Sequence, residues 1–166
     1  QTGTGMQFVG DAVMAVFGAP LPQPDHAQRS LAAALAMHEA QNAVNQRWSA
    51  QGLPPFFLGI GLSTGDVAAA LLGSDERLEY SVVGDAVNLA QRLQQWGEGG
   101  QTVMREPTYE ALVDKPDAER LEPALVKGRH APVGASRTGT APGWVTAPAR
   151  SRTHWRGCWA GSCLAA

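Results

Sequence analysis

The sequence predicts a fold that mixes β-strands with α-helices, and three stretches carry that prediction. Residues 1–18 have the pattern of a β-hairpin. Residues 25–50 place apolar side chains at helical spacing and end before a glycine and paired prolines. Residues 79–93 change from β-branched residues to a glycine turn and then to a helical pattern. At a length of 166 residues these units indicate a single domain.

The strand, turn and helix of residues 79–93 form the stretch around which the chain is organised. Gly84 supplies the turn, and Asp85 is predicted to cap the following helix. Asn88 and Arg92 are four residues apart, so their side chains leave one face of that helix about one turn apart. An amide beside a guanidinium suits an oxygen-rich anion such as phosphate. The alternative is an ordinary surface pair on an amphipathic helix.

The turn of the predicted hairpin carries a second candidate. Gly10 and Asp11 form a plausible two-residue turn. A carboxylate exposed at such a tip suits Mg²⁺, which keeps several waters and takes few protein oxygens as ligands. The alternative role of Asp11 is the turn alone. Two histidines of the predicted helix, His26 and His38, are interpreted as packing or surface residues.

Residues 56–72 predict a further strand with three glycines in its middle, Gly59, Gly61 and Gly65. Several glycines within one strand indicate close approach of a neighbour or a ligand. The pattern differs from a dinucleotide fingerprint, because no helical stretch follows.

Composition and hydropathy exclude several classes of protein. Hydrophobic residues make up 44% of the chain, enough for a sizeable core. No apolar run reaches membrane-spanning length and no charged-then-apolar leader opens the chain, so we expect a soluble, cytoplasmic protein without a membrane segment. Cys158 and Cys163 have neither CxxC nor metal-site spacing, and we expect no zinc site or disulfide framework.

Charge is distributed unevenly along the chain. Residues 1–122 hold all 15 acidic residues and seven basic ones, for a net charge of −8. Residues 123–166 hold six basic residues and no acidic one, for a net charge of +6. The negative charge of residues 1–122 argues against a nucleic-acid-binding domain. The basic residues of 123–166 do not form a stripe along a helix, and they are not accompanied by a set of aromatic residues on which bases could stack. We therefore expect no nucleic-acid partner.

The sequence changes character at residue 134. The run from 134 to 144 has a period of neither 2 nor 3.6 residues, and residues 134–166 contain three of the five tryptophans and both cysteines. We predict that residues 1–133 form the domain. Residues 134–166 are predicted to be a basic tail, disordered or non-native in sequence, that does not pack on it.

Four segments together resemble the class III adenylate and guanylate cyclases. Residues 79–93 resemble the signature in which a glycine turn precedes Asn-x-x-x-Arg, and residues 8–20 resemble the metal-binding hairpin of the same family. Residues 59–67 and 126–128 resemble two further motifs. The four occur in the order of the family between residue 6 and about residue 133.

The resemblance implies an α+β domain with a ferredoxin-like βαββαβ core that works as a homodimer, with two sites across the interface. It implies conversion of ATP to 3′,5′-cyclic AMP and pyrophosphate in cyclic-nucleotide signalling. The 3′-hydroxyl would attack the α-phosphate in line, with a pair of Mg²⁺ or Mn²⁺ ions as cofactors.

Roles for four residues follow from the same resemblance. Asp11 would be a metal ligand, and Arg92 would stabilise the charge that develops on the α-phosphate. Asn88 would orient the ribose. Lys127 would bind the terminal phosphates as a flexible point charge, the alternative being a solvated surface lysine.

Two positions bear on the choice of base. Gln7 stands where adenylate cyclases commonly have lysine, and Ser81 stands where many members have aspartate and a bacterial subgroup has threonine. Neither position has the glutamate or the cysteine that is specific to guanylate cyclases. The expected substrate is ATP, and GTP is the alternative.

The family has a second metal-binding aspartate on its first strand, whereas no acidic residue precedes Asp11 in this chain. The resemblance therefore implies that the first strand and two helices are missing and that the two-metal site is incomplete. The expectation is a purine nucleotide cyclase domain that is impaired in this copy. The alternative is an inactive truncated relic of the cyclase fold, or a dimerisation module.

Overall fold

The computed structural model describes residues 6–9, 12–74, 77–126, 131–139 and 162–165; for 6–9, 69–74, 77–81 and 162–165 it describes the backbone alone. The strands and helices confirm the predicted α+β class. Within these ranges no helix combines the length and hydropathy that crossing a bilayer requires. The elements are β1 (Met6–Val9), β2 (Ala12–Phe17), α1 (His26–Ala50), β3 (Ile60–Leu62), β4 (Ala68–Ser74), β5 (Arg77–Val83), α2 (Asp85–Trp96), β6 (Gln101–Arg105), α3 (Glu106–Glu110), β7 (Glu119–Ala124), β8 (Val133–Gly139) and β9 (Ser162–Ala165).

The strands form two sheets. The main sheet has seven strands in the order β1-β2-β9-β3-β6-β8-β7, and β4 and β5 form a separate two-stranded sheet. β1 and β2 are antiparallel neighbours, as the predicted hairpin requires. β9 runs parallel to β2 and to β3, and β3 runs parallel to β6, whereas β8 is antiparallel to both β6 and β7.

The two longer helices cover opposite faces of the main sheet. Val103 and Met104 are successive residues of β6, so their side chains point to opposite faces. Met104 packs in a buried cluster with Leu31 of α1. Val103 packs in another with Leu89 of α2. The sheet is therefore enclosed between α1 and α2.

Helix α1 matches the predicted helix and is fixed to the sheet by a polar contact. His38 is 1% exposed, and its Nε2 lies 3.0 Å from the Oγ1 of Thr102 on β6. Burial lowers the pKa of His38, because the apolar surroundings disfavour the imidazolium form. His38 was interpreted as a packing or surface residue, and the structure shows that it is a packing residue.

The predicted strand over residues 56–72 is wrong in its extent. β3 comprises only Ile60–Leu62, and β4 begins at Ala68. At Phe56 the backbone is bound by a side chain instead of a neighbouring strand. The Nδ2 of Asn45 donates to the Phe56 carbonyl oxygen at 2.7 Å, and its Oδ1 accepts from the Phe56 N–H at 3.1 Å.

The predicted boundary between residues 133 and 134 is also wrong, because it falls inside β8. This strand pairs with β6 from Ala135 to Gly139 and with β7 on its other side. Ala135, Ser136 and Thr138 are buried. The expectation that the chain from 134 on does not pack on the domain fails for 134–139, and for 162–165, which form β9. Residues 140–161 lie outside the described part of the chain.

The error at β8 has a physical cause. A strand between two others on a covered sheet can bury small and hydroxyl-bearing residues, because the neighbours' larger side chains fill the layer around them. The burial of alanine, serine and threonine in β8 therefore leaves no hydrophobic alternation for the sequence to show.

Candidate active site

The junction between β5 and α2 is shaped by a close passage of the backbone. A Cβ placed on Gly84 would lie 2.8 Å from the carbonyl oxygen of Asp66 and 3.1 Å from the Cα of Val67. Any side chain would therefore push β5 and α2 away from the segment that leads into β4. Gly84 occupies the N-cap position of α2, so the prediction that Asp85 caps the helix is wrong. Asp85 lies in the first turn, where a negative charge is favourable next to the helix N-terminus.

Helix α2 has one buried face and one accessible face. Its buried residues are Ala86, Leu89, Ala90 and Leu93. Val87 is half-buried and packs beside the cluster that contains Met14 of β2. Asn88 is exposed and Arg92 is half-buried. The helix therefore fixes the backbone of both candidate residues while leaving their side chains accessible.

A second close contact sets the distance of α2 from the sheet. A Cβ placed on Gly61 would overlap the carbonyl oxygen of Ala90 and would lie 2.6 Å from the backbone nitrogen of Gln94. The side-chain nitrogen of Gln94 also approaches to 3.0 Å from a Cβ placed on Gly59. The close approach that the glycines predicted is therefore made by α2 of the same chain.

The glycines are the residues whose role the sequence indicated only in part. Gly61 and Gly84 bear no chemistry, yet they decide where α2 lies and hence where Asn88 and Arg92 project. Gly65 belongs to the same set, because a Cβ on it would lie 3.2 Å from the Cβ of Ala86. The three glycines in the predicted strand indicated that a neighbour approaches closely. They did not indicate that this neighbour is α2.

The Asn88 amide and the Arg92 guanidinium have no polar partner in the described part of the chain. Neither Asn88 nor Arg92 makes a hydrogen bond or an ion pair with any described residue. By contrast, Arg29 binds Asp25 and Arg137 binds Glu119. The donors of Arg92 thus suit an anion supplied from outside the chain.

The structure describes only the backbone of two other predicted site residues, and it does not describe the remaining two. Gln7 lies in β1 opposite Met14, and Ser81 lies in β5 opposite Ala70; for both residues the backbone alone is described. Asp11 and Lys127 lie outside the described residues. The only predicted site side chains that the structure describes together are thus those of Asn88 and Arg92.

The described residues include no group of three or more His, Cys, Asp or Glu side chains arranged to hold a metal ion. Asp11, the predicted ligand, is not among the residues covered by that statement. Its carboxylate has the hard oxygen donors that Mg²⁺ and Mn²⁺ take.

Fold and site together define an α+β domain that presents an amide and a guanidinium, one turn apart, on a helix packed tightly against its sheet. Residues 3–138 match the family model described as the adenylate and guanylate cyclase catalytic domain. The chain belongs to this family.

Relatives of known sequence agree with the assignment. The chain is 41% identical over 92 residues to adenylate cyclase 1 of Rhizobium meliloti (strain 1021), which covers 55% of this chain and 14% of that protein. It is 41% identical over 105 residues to an adenylate cyclase of Mycobacterium tuberculosis (strain H37Rv), which covers 63% of this chain and 23% of that protein. The chain thus spans about a quarter or less of these relatives.

Solved structures agree as well. The adenylyl cyclase CyaB from P. aeruginosa superposes with a TM-score of 0.70 at 28% identity, covering 84% of this chain and 74% of that one. The guanylyl cyclase Cya2 superposes with a TM-score of 0.62 at 34% identity, covering 76% of this chain and 64% of that one. A guanylate cyclase domain from Catenaria anguillulae, solved in complex with GTP, gives 0.61 at 27% identity and covers 75% and 66%.

Proposed function

We propose that this domain converts ATP to 3′,5′-cyclic AMP and pyrophosphate. The 3′-oxygen forms a bond to the α-phosphorus while the bond from that phosphorus to the bridging oxygen breaks, and the hydroxyl proton passes to solvent. ATP is proposed as the substrate because two of the relatives at 41% identity, from Rhizobium meliloti and Mycobacterium tuberculosis, are adenylate cyclases.

The observation that carries the proposal is the placement of Asn88 and Arg92 on α2. Catalysis of phosphoryl transfer depends on positioned charge more than on covalent chemistry by the protein. A half-buried guanidinium on a helix fixed by Gly61 and Gly84 is preorganised in that way. Arg92 is proposed to donate to the α-phosphate oxygens in the transition state. Asn88 is proposed to hold the ribose with its 3′-oxygen in line.

The remaining roles are proposed from the family pattern. Lys127 would bind the terminal phosphates, and the Gln7 and Ser81 side chains would contact the base. The Gln7 amide can both donate and accept, so it can meet the edge of either purine. GTP is retained as a competing substrate, since two of the similar structures are guanylate cyclases.

Asp11 is proposed as a ligand of Mg²⁺ or Mn²⁺. Such an ion, when bound, neutralises phosphate charge and lowers the pKa of an attacking oxygen. The contribution of the chain would be the carboxylate of Asp11, the residue that precedes β2 in the sequence. Asp11→Ala should therefore remove the dependence of turnover on metal concentration together with the activity, whereas Asp25→Ala, on an exposed Asp paired with Arg29, should leave both unchanged.

A homodimer is proposed as the working form, with each site completed by residues of the second copy. Sedimentation of the full chain at micromolar concentration tests it. A protein that stays monomeric while turning over nucleotide would contradict the shared site.

The test of the activity is direct assay of product. The full chain is incubated with ATP or GTP and with Mg²⁺ or Mn²⁺, and cyclic AMP and cyclic GMP are quantified by mass spectrometry. Asn88→Ala should lower kcat/KM for ATP by roughly tenfold, as expected for one lost hydrogen bond. Gln91→Ala is the matched control, because Gln91 is exposed on the same helix. Equal loss in both variants, or no cyclic nucleotide with either substrate, would overturn the proposal.

A further inference from the structure

Two ion pairs involve the antiparallel strands β7 and β8, called here the β7–β8 hairpin, and the pairs differ in what they join. Arg137 of β8 binds Glu119 of β7 at 2.6 Å, so this pair joins the two strands of the hairpin to each other. Arg120 of β7 binds Glu106 of α3. This second pair therefore joins the hairpin to another part of the domain.

The strand that carries Arg120 is held by few other contacts. β7 is the outermost strand of the main sheet, and β8 is its neighbour there. The pairing with β8 is irregular between Leu121 and Ala124, and Pro123 in this stretch has no N–H to donate. Lys127 follows three residues after Ala124. The part of β7 that leads to Lys127 is thus paired less regularly than the part before it.

The carboxylate of Glu106 lies directly against β8. A Cβ placed on Gly134 would lie 2.6 Å from the Oε2 of Glu106. Ala135, the next residue, packs in the cluster on the α2 side of the sheet, so Gly134 faces the other side. Arg120 is paired with Ser136, two residues along β8 from Gly134, and therefore shares that face. Glu106 thus crosses β8 at a glycine to reach Arg120.

The backbone next to Glu106 is fixed to the end of β3. Arg105 is the last residue of β6, and its Nη1 donates to the carbonyl oxygen of Thr64 at 3.4 Å. Thr108 of α3 is buried, and its Oγ1 accepts from the Thr64 N–H at 2.9 Å. The carboxylate that binds Arg120 therefore projects from a fixed base.

The exposure of this ion pair indicates orientation as its role. The side chains of Arg120 and Glu106 are 73% and 36% exposed, and ion pairs so open to water contribute little to the free energy of unfolding. Such a pair can still select one orientation of an edge strand, because it joins that strand to a fixed point outside the hairpin.

We propose that Glu106 is a positioning residue, which acts through Arg120 and the β7–β8 hairpin to hold Lys127 at the terminal phosphates of the substrate. This inference rests on the role proposed above for Lys127. A lysine side chain is flexible, so a chain that is oriented before binding loses less conformational entropy when the phosphates arrive. Glu106 and Arg120 supply that orientation without touching the nucleotide.

Nucleotide binding tests the proposal without turnover. The probe is α,β-methylene-ATP, which keeps three phosphates but cannot release pyrophosphate, and its Kd for the full chain is measured by calorimetry with Mg²⁺ present. Lys127→Ala, Glu106→Gln and Arg120→Gln should each raise Kd roughly three- to tenfold. Glu106→Gln added to Lys127→Ala should raise it no further, because the carboxylate acts through the lysine. Glu119→Gln, which breaks the ion pair inside the hairpin, is the control and should leave Kd unchanged.

A glycine variant tests the same contact without changing any charge. The methyl of Gly134→Ala would displace the flexible end of the Glu106 side chain and should raise Kd as Glu106→Gln does. Gly139→Ala is the control on the same strand, since apart from its sequence neighbours no described residue comes within 4 Å of a Cβ placed there. If the two glycine variants bound the probe equally well, the contact of Glu106 with β8 would have no role in binding.

The outcomes separate this inference from the function on which it rests. If Lys127→Ala weakened binding and Glu106→Gln did not, the positioning role would be wrong and the role of Lys127 would stand. Additive losses in the double variant would show that Glu106 acts by another route, which also overturns the inference. If Lys127→Ala bound the probe normally, or the unaltered chain did not bind it, the role proposed for Lys127 would fail and this inference with it.

Hydrogen exchange tests the hairpin with no nucleotide present. In Glu106→Gln, amides of residues 119–124 should exchange about threefold faster or more, because the edge strand has lost its attachment to α3. Amides of residues 60–62 in β3 should keep their protection. Unchanged exchange at 119–124 would overturn the positioning role, whatever the nucleotide measurements give.

Discussion

The carbonyl oxygen of Ala90 occupies the space where a side chain on Gly61 would begin. Gly61 is the middle residue of β3, and Ala90 lies on the buried face of α2 between the turns that carry Asn88 and Arg92. The strand and the helix therefore touch through backbone atoms. Together with the close passage at Gly84, this contact fixes the position of both candidate catalytic side chains, because α2 is a rigid helix.

We expect Gly61→Ala to destabilise the protein and to reduce catalysis. The added methyl overlaps backbone atoms, so α2 must move outward, at a cost of about 1–3 kcal/mol typical of overpacking. Urea denaturation measures the change in the free energy of unfolding. A displacement of about 1 Å at Arg92 should also lower kcat well beyond the loss of folded protein.

Gly139→Ala is the matched control for this prediction. Apart from its neighbours in sequence, no described residue has an atom within 4 Å of a Cβ placed on Gly139, at the end of β8. It should change the free energy of unfolding by less than about 0.5 kcal/mol. A Gly61→Ala protein as stable and as active as the Gly139→Ala protein would show that α2 does not depend on this contact.

The sequence predicted the local units of the fold better than the contacts between them. The helix at 26–50 and the pairing of β1 with β2 followed from periodicity and turn residues. Asn88 and Arg92 were predicted to share one face from their spacing, and the structure leaves both side chains accessible.

The long-range contacts could not be predicted, because no local pattern encodes them. β8 buries alanine, serine and threonine through its two neighbours, so it shows no alternation. Gly61 indicated that another part of the chain approaches β3 closely, but the sequence did not identify Ala90 as that neighbour. Asn45 lies in a helix, and only the fold shows that its side chain binds the backbone of Phe56.

Asn45→Ala should destabilise the protein by about 1–3 kcal/mol, because the change leaves the N–H of Phe56 without its acceptor. Asn45 is 8% exposed, so water cannot readily take its place. Chemical denaturation measures the effect. Asn42→Ala, on the less buried side of α1, is the control and should change stability by less than about 0.5 kcal/mol. Equal effects at both positions would show that the Phe56 bonds contribute nothing.

Stability should fall at acidic pH through His38. Burial lowers the pKa of His38 in the folded protein below its ordinary value of 6.5, so the unfolded chain takes up the proton first as pH falls. The contribution of His38 to stability is therefore complete above pH 6.5 and is lost progressively below it. Urea denaturation at pH values between about 5 and 8 measures the slope.

His38→Gln should flatten this dependence, since glutamine does not titrate. His26→Gln is the control, because His26 lies at the start of α1 with its Nδ1 2.9 Å from the carbonyl oxygen of Gln23. Identical pH slopes in the His38→Gln variant and the unaltered protein would show that His38 titrates alike in both states.

Gln7→Lys should shift base preference toward ATP. Gln7 lies in β1, and its contact with the purine is part of the function proposed above. Lysine donates only, so it favours the adenine ring nitrogens and loses the contact in which the glutamine oxygen accepts from guanine. The measured quantity is the ratio of kcat/KM for ATP to that for GTP. Gln91→Lys adds the same charge on α2 as a control; an equal change in both variants would exclude a specific role of Gln7.

Arg92 provides the sharpest test of the catalytic assignment. Arg92→Ala should lower kcat by roughly 10²-fold or more with little change in stability, because a preorganised donor to the transition state is lost from a half-buried position. Arg92→Lys keeps the charge and should recover only part of the rate, since an ammonium cannot donate in the planar fork of a guanidinium. Steady-state formation of cyclic AMP gives kcat and KM separately, and denaturation shows that the variants fold.

Arg47→Ala is the matched control for the removal of an arginine. Arg47 is exposed in the last turn of α1, where its Nε donates to the carbonyl oxygen of Ala43 at 3.4 Å. Its loss should leave kcat unchanged, because α1 lies on the face of the sheet opposite α2. If Arg92→Ala raised KM alone, Arg92 would bind substrate and transition state equally. If it left both constants unchanged in a folded, active protein, the guanidinium of α2 would be a surface group and the active site would lie elsewhere.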